Sequence, residues 1–340
     1  MYIGIDVGGT NLKAGLVNEQ GQIVAVERTP LDFKSVEQFA DTLAELALSV
    51  MKSGGVQASD VEYVGVGIPG AVKGGDILYT CNIPLRDVPL SDLFRKKLDL
   101  PLLLENDANC AAVGEWLCGA GKGTNEFAII TLGTGVGGGF VLNGKLYSGG
   151  GMVGEVGHMV IEKGGVPCNC GRCGCWEAYS SATGLIRMTK EAMEAHPESL
   201  LHKFAAENGG VEGRTAFDAA EAGDETALAV CRKFVEYLAA GVTNLVNVLQ
   251  PEVLAVGGGV AGAPDYLLME PLRKIVEEET GSISVAVGGM LKRHLTTETL
   301  RVLLNNELMP KDDSVEEKKS FKLADVRSKL LQKKGEDHHE

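Results

Sequence analysis

The chain has 340 residues, 44% hydrophobic and 23% charged, which is enough apolar content for the cores of two domains. Its formal net charge of −14 argues against a nucleic-acid surface or an anionic membrane as partner, and its apolar runs are too short to span a bilayer. The opening MYIGIDVGGT lacks a basic region, a long apolar run and a cleavage site, so the expected location is the cytoplasm, with the eight cysteines reduced.

Tyr2 to Val7, Leu12 to Val17 and Ile23 to Arg28 read as a β-meander. Asp6 stands at the end of its first strand. Gly8, Gly9 and Thr10 follow, and the glycine amides can approach an anion closely, although a simple glycine hairpin would look the same. From Ser35 to Met51 the apolar residues Val36, Phe39, Ala40, Leu43, Leu46, Ala47 and Val50 recur at helical spacing behind Ser35 as N-cap. Val61 to Ile68 returns as a strand ending in Pro69-Gly70. A short helical pattern, Leu90 to Leu98, precedes a strand at Leu102 to Leu104. Strand, helix, strand order predicts a partly parallel sheet.

Glu105-Asn106-Asp107-Ala108-Asn109 is read as a polar loop before a helix over 108–117, at the carboxyl end of a strand, where open α/β sheets place ligands. An N-cap role would explain one of Asn106 and Asp107, but not the whole polar run. Phe127 to Leu132 is a strand followed by Gly133-Thr134-Gly135-Val136-Gly137-Gly138-Gly139 and a strand to Leu142. The strand, Gly-Thr turn, strand order repeats residues 3–17, which predicts two similar halves facing each other across a cleft. Neither turn is a P-loop or a dinucleotide fingerprint.

GEVGHMVIEKGGVPCNCGRCGCWE, Gly154 to Glu177, carries Cys168, Cys170, Cys173 and Cys175, with His158 upstream. Crowded thiolates repel unless a cation or disulfides neutralise them, and Gly171 and Gly174 permit the tight loops of a metal knuckle. Asn169, Gly171, Arg172 and Gly174 make poor core sequence, and reduced thiols disfavour disulfides, so zinc is expected. A tetrahedral site needs four of the five donors, and spacing leaves open which cysteine is spare. Cys81, Cys110, Cys118 and Cys231 read as packing residues. Beyond the cysteines the chain is mostly helical, most clearly over 225–249. Val253 to Val256 is a buried strand running into Gly257, Gly258 and Gly259, and a helix is predicted over 264–279. Residues 311–340 are nearly all polar and charged, as expected of a solvated helix or a disordered tail.

IGIDVGGTNLKAGLV, ENDAN, ITLGTGVGGG, and GEVGH followed by CNCGRCGCWE together resemble the ROK family of bacterial sugar kinases, within the hexokinase, actin and Hsp70 superfamily, over residues 1–280. GAGKGT and YSSATG look most like its glucokinases. The resemblance implies an α/β protein with the actin-like ATPase (ribonuclease H-like) fold: an N-terminal domain over 1–116, a larger one over 117–310, and the tail, which departs from the family pattern after about residue 304. It implies ATP-dependent phosphorylation of a hexose, most similarly glucose, with N-acetylmannosamine, N-acetylglucosamine and fructose as alternatives. Asp107 would be the general base. Sugar contacts would come from Gly70, Asn106, Asp107, Glu155, His158 and Glu177. Gly8, Gly9, Thr10, Gly133, Thr134 and Gly135 would face the ATP phosphates, Asp6 would hold Mg²⁺ through water, and Gly257, Gly258 and Gly259 would sit near the adenosine. Zinc would be held by His158, Cys168, Cys170 and Cys175, leaving Cys173 spare, and the chain would form a homodimer or homotetramer. Sugar-responsive repressors of the family carry a helix-turn-helix domain ahead of the kinase-like part. This chain opens on the first strand, so catalysis is expected, rather than that role or sugar binding alone.

Overall fold

The computed structural model describes residues 1–80, 83–149, 153–281, 285–287 and 290–292. The charged tail and Cys81 lie outside the described residues. Among the described residues two compact units emerge, one formed by Met1–Cys110 and one by Ala111–Gly149 with the described residues between Val153 and Lys292.

In the first unit, β1 (Tyr2–Val7), β2 (Asn11–Val17) and β3 (Ile23–Pro30) form the meander. The helix α1 (Val36–Gly54) follows, with the Ser35 side chain accepting the Gln38 amide at 3.1 Å as predicted for the cap. After β4 (Tyr63–Ile68), β5 (Gly70–Lys73), β6 (Asp76–Thr80) and β7 (Arg86–Val88) make a separate three-stranded sheet. The short helix α2 (Leu90–Arg95) leads to β8 (Leu102–Asn106) and to α3 (Asp107–Cys118), whose residues from Ala111 on belong to the second unit. The main sheet has the order β3-β2-β1-β4-β8, with β1, β4 and β8 parallel. Ile3, Ile5 and Val7 alternate toward a core shared with Phe39, Leu43, Ala47 and Val50 of α1, while Gly4 and Asp6 point the other way and are exposed. This is the period-two pattern of a strand covered on one face.

The second unit repeats the arrangement. The strands β9 (Phe127–Leu132), β10 (Val136–Leu142) and β11 (Lys145–Leu146) form its meander. A helical series follows: α4 (Glu177–Ser180), α5 (Ala182–Ala195), α6 (Leu201–Glu207), α7 (Thr215–Glu221) and α8 (Glu225–Leu249). The chain then returns through β12 (Val253–Gly257), α9 (Met269–Thr280), β13 (Val285–Val287) and β14 (Met290–Lys292). The sheet order β11-β10-β9-β12 matches β3-β2-β1-β4, each with an antiparallel meander and one parallel crossover. Here β9 and β12 are nearly all apolar and buried because both faces are covered. Ala128, Ile130, Leu132, Leu254 and Val256 pack with Phe234, Leu238 and Val242 of α8. Phe127, Ile129, Val253 and Ala255 pack with Ala112 and Trp116 of α3.

Four readings need correction. Asn106 ends β8 and Asp107 begins α3, so no loop separates them; the side chain of Asn106 caps the helix and makes the direct junction possible. The short helix ends at Arg95 and not near Leu98. The helix predicted from Pro264 begins at Met269, because the Leu267 and Leu268 amides both turn back onto the Pro264 carbonyl. Cys110 and Cys118 are exposed, whereas Cys231 is buried. The buried stripe of α3 runs through Ala108, Ala112 and Trp116, and the two cysteines lie off it. No helix among the described residues is long and apolar enough to cross a membrane.

Candidate functional site

In the first unit the parallel strands β1, β4 and β8 bring Asp6, Gly67 and Glu105 into register, Asp6 beside Gly67 and Gly67 beside Glu105. Asp6, Asn106 and Asp107 thus gather at the carboxyl edge of one sheet, the side where such sheets present ligand groups. Asn106 is held from several directions. Its Oδ1 accepts the Ala108 and Asn109 amides at 3.0 and 3.1 Å, and its Nδ2 donates to the Gly70 carbonyl at 3.1 Å. Gly70 therefore adjoins the ENDAN segment through its backbone. Asp107 is half-buried and accepts the Ala108 amide at 2.9 Å. Burial raises its carboxyl above the ordinary value of 3.8; the Ala108 N–H opposes that shift and the Asp6 charge adds to it.

Two further residues of the segment hold the junction. Glu105 Oε1 accepts both the Asn106 amide at 2.9 Å and the Asn109 Nδ2 at 3.0 Å, and Asn109 is only 4% exposed. Their i, i+4 spacing was the available sequence signal. Gly8, Gly9 and Thr10 form the β1–β2 turn, closed by the Gly8 amide on the Asn11 carbonyl at 3.0 Å.

In the second unit the Gly133–Gly135 turn ends β9, and Gly257–Gly259 ends its parallel neighbour β12, with Thr131 beside Gly257. The two turns share one sheet edge. Glu177 reaches the first of them. Its Oε2 accepts the Val136 amide at 3.0 Å and occupies the place where Gly135 would carry a Cβ, so a side chain at 135 would displace the carboxylate. His158 ends a short helical turn, Val156–His158. Its Nδ1 lies 3.7 Å from Cys168 Sγ, and its Nε2 lies 3.7 Å from the Glu155 carboxylate.

The donor atoms of His158, Cys168, Cys170 and Cys175 all lie within 4.8 Å of one another, with the Cys170 and Cys175 sulfurs 3.6 Å apart. The edge of a tetrahedron around an ion bound at about 2.3 Å is about 3.8 Å, so the cluster has the dimensions of a closed four-coordinate site. Its chemistry also suits a cation. Cys175 is fully buried, and burial with the neighbouring sulfurs pushes its thiol up to about 11. The Arg172 backbone N–H draws Cys170 down to about 7. Cys173 is exposed and outside the cluster, paired by its backbone with Pro167. Gly174 turns the loop with φ +80°, its Cα against the Glu162 carbonyl where no side chain fits. Behind the loop, Tyr179 and Tyr237 stack with ring centroids 4.2 Å apart. Tyr179 Oη accepts the Val166 amide at 2.7 Å, and the buried Trp176 donates to the Tyr237 carbonyl at 3.0 Å.

The sequence profile of the ROK family matches residues 2–291. The chain belongs to the ROK family. Its relatives include a glucokinase of Halalkalibacterium halodurans, 41% identical over 281 residues, covering 81% of this chain and 85% of that one. A glucokinase of Thermotoga maritima is 39% identical over 279 residues, covering 81% and 86%. Among solved structures, a ROK family glucokinase from Streptomyces griseus in complex with glucose and AMPPNP superposes with a TM-score of 0.72 at 35% identity, over 82% of this chain and 89% of that one. The fold is therefore the actin-like ATPase fold that the resemblance implied, and the duplicated meander-and-crossover order is its signature here. The family match ends at residue 291.

Proposed function

We propose that this chain is an ATP-dependent hexose kinase that converts glucose to glucose 6-phosphate. The observation that carries the reading is the glucokinase similarity of 41% over most of both chains, in a protein whose Asp107 stands half-buried at a parallel sheet edge. A sugar hydroxyl is a weak nucleophile, so a carboxylate must orient it and accept its proton as the phosphoryl group transfers. Asp107 takes that role, and its raised carboxyl brings it closer to a useful base at neutral pH. In the second unit Glu155, His158 and Glu177 read sugar hydroxyls, since ionised carboxylates offer only acceptors to a ligand rich in donors. Asn106 and the Gly70 backbone are proposed as further sugar contacts.

The glycine turns at Gly8–Thr10 and Gly133–Gly135 cradle the ATP phosphates, and Gly257–Gly259 flanks the adenosine. Mg²⁺ bound with ATP supplies charge neutralisation at the transferring phosphate; Asp6, exposed at the end of β1, would hold it through water. Zn²⁺ suits His158, Cys168, Cys170 and Cys175, with Cys173 spare. Held there, it would anchor the loop, and His158, with Nε2 on the Glu155 side, would keep a fixed orientation beside the sugar-reading carboxylates. The protein is placed in the cytoplasm, where thiols stay reduced, as a homodimer or homotetramer.

An ADP-coupled assay over glucose, N-acetylmannosamine, N-acetylglucosamine and fructose tests this reading. The expected result is ADP release with kcat/KM highest for glucose. A sugar that raises the melting temperature without ADP formation would mark a binding protein and sink the kinase.

A further inference from the structure

The three carbonyl oxygens of the Gly133–Gly135 turn are all engaged within the second unit. Gly135 O accepts the Gly133 amide at 3.0 Å, Gly133 O accepts the Ala182 amide at 2.8 Å, and Thr134 O accepts the Thr183 hydroxyl at 2.8 Å. Two of these bonds come from the start of α5, which Ser181 caps by accepting the Gly184 amide at 3.1 Å. This matters for an anion site. A turn binds phosphate through its amides, and a carbonyl rotated toward the phosphate would repel it. The peptide between Thr134 and Gly135 is the vulnerable one, because glycine on its carboxyl side tolerates either orientation of that plane. In a planar trans peptide the N–H points opposite to the C=O. Holding the Thr134 carbonyl toward α5 therefore aims the Gly135 N–H away from α5.

We propose that Thr183 is a positioning residue for phosphoryl transfer: its hydroxyl locks the Thr134–Gly135 peptide in the orientation that offers an N–H, not a carbonyl, to the nucleotide phosphates. The inference rests on the reading of Gly133–Gly135 as a phosphate turn and gives Thr183, a residue of the YSSATG segment, a role not drawn from the resemblance. Thr183 is exposed and makes this contact from the edge of the helix, so it can be altered without opening a core.

The test compares Thr183→Val, which keeps the shape and removes the donor, with Thr183→Ser, which keeps the donor. Titration calorimetry would measure AMPPNP with Mg²⁺, adenosine and glucose separately. Loss of one hydrogen bond predicts AMPPNP binding weaker by about fivefold in Thr183→Val, a matching rise in KM for ATP, and adenosine and glucose affinities within twofold of the unsubstituted protein. Thr183→Ser should restore AMPPNP binding. Unchanged AMPPNP affinity in Thr183→Val would overturn the lock, as would equal weakening of adenosine and glucose, which would mark general loosening. If Thr183→Val fails to fold, Thr183→Ala replaces it under the same criteria. Should the unsubstituted protein bind glucose and adenosine but gain nothing from the phosphates, the turn is not a phosphate site, and that assignment falls together with the lock.

Discussion

The Glu177 carboxylate sits where Gly135 would carry a side chain, and it holds the Val136 amide at 3.0 Å. A residue of the cysteine loop thus closes the glycine turn that ends β9. A carboxylate oxygen that accepts a backbone amide is an oriented contact, so Glu177, which we propose reads the sugar, also fixes the turn.

Gly135→Ala forces that carboxylate aside. The displaced atom ends a flexible side chain, so the expected stability loss is only about 1 kcal/mol, while kcat/KM for glucose falls at least about tenfold because the Glu177 geometry is lost. Melting and steady-state kinetics on the same preparation check this; unchanged kinetics would remove the Glu177–Gly135 contact from function.

Asp107→Asn keeps the Oδ1 acceptor for the Ala108 amide and removes the proton acceptor. Turnover should drop about 10²- to 10⁴-fold, the usual worth of general base catalysis, with glucose affinity by calorimetry within a few-fold. A near-normal kcat would take the base role away from Asp107.

The raised carboxyl of Asp107 also dictates a pH dependence. Activity is expected to fall as pH drops through its pKa, at a pH above the ordinary 3.8, and Asp6→Asn, which removes the adjacent like charge, should move that acid limb lower whatever it does to the absolute rate. For stability the sign is reversed. Between 3.8 and the raised value the folded state binds the proton that the unfolded chain has lost, so this contribution to stability is present at low pH and lost as pH rises. Above both values the ionised Asp107 remains a penalty, and Asp107→Asn should melt at the same temperature as the parent or higher at pH 7. A lower melting temperature would contradict the shift.

Metal analysis should find about one zinc per chain. Cys175→Ser, which alters a fully buried donor, should lose the metal and lower the melting temperature by several degrees, whereas Cys173→Ser should keep both. A folded, active, zinc-free protein would defeat the structural role. Metal loss in Cys173→Ser would show that the wrong cysteine was left out.

Much of this protein was legible in its residue order, for reasons that are local. The alternation of Ile3, Ile5 and Val7 with Gly4 and Asp6 demands a strand with one buried face. The spacing of Phe39, Leu43, Ala47 and Val50 demands a helix, and Ser35 caps it. The density of Cys168, Cys170, Cys173 and Cys175 marks a thiol-crowded loop, and three of these sulfurs do gather with His158. Where the sequence fell short, the missing information was about partners distant in the chain. Pairing β1 with β4 and β4 with β8 sets Asp6 near enough to Asp107 to raise its pKa, and no spacing rule relates residues 6 and 107. Cysteine spacing left open which of the four is spare and only the family resemblance named Cys173; the loop's path supplies the physical reason, with Gly174 against the Glu162 carbonyl, Cys175 buried and Cys173 exposed. The Thr183 hydroxyl and the Thr134 carbonyl meet only because α5 starts against the end of β9. Hydrophobic period and turn chemistry are short-range properties that the chain carries in itself; charge coupling and carbonyl orientation depend on through-space distances, which only packing of the sheets and helices can set.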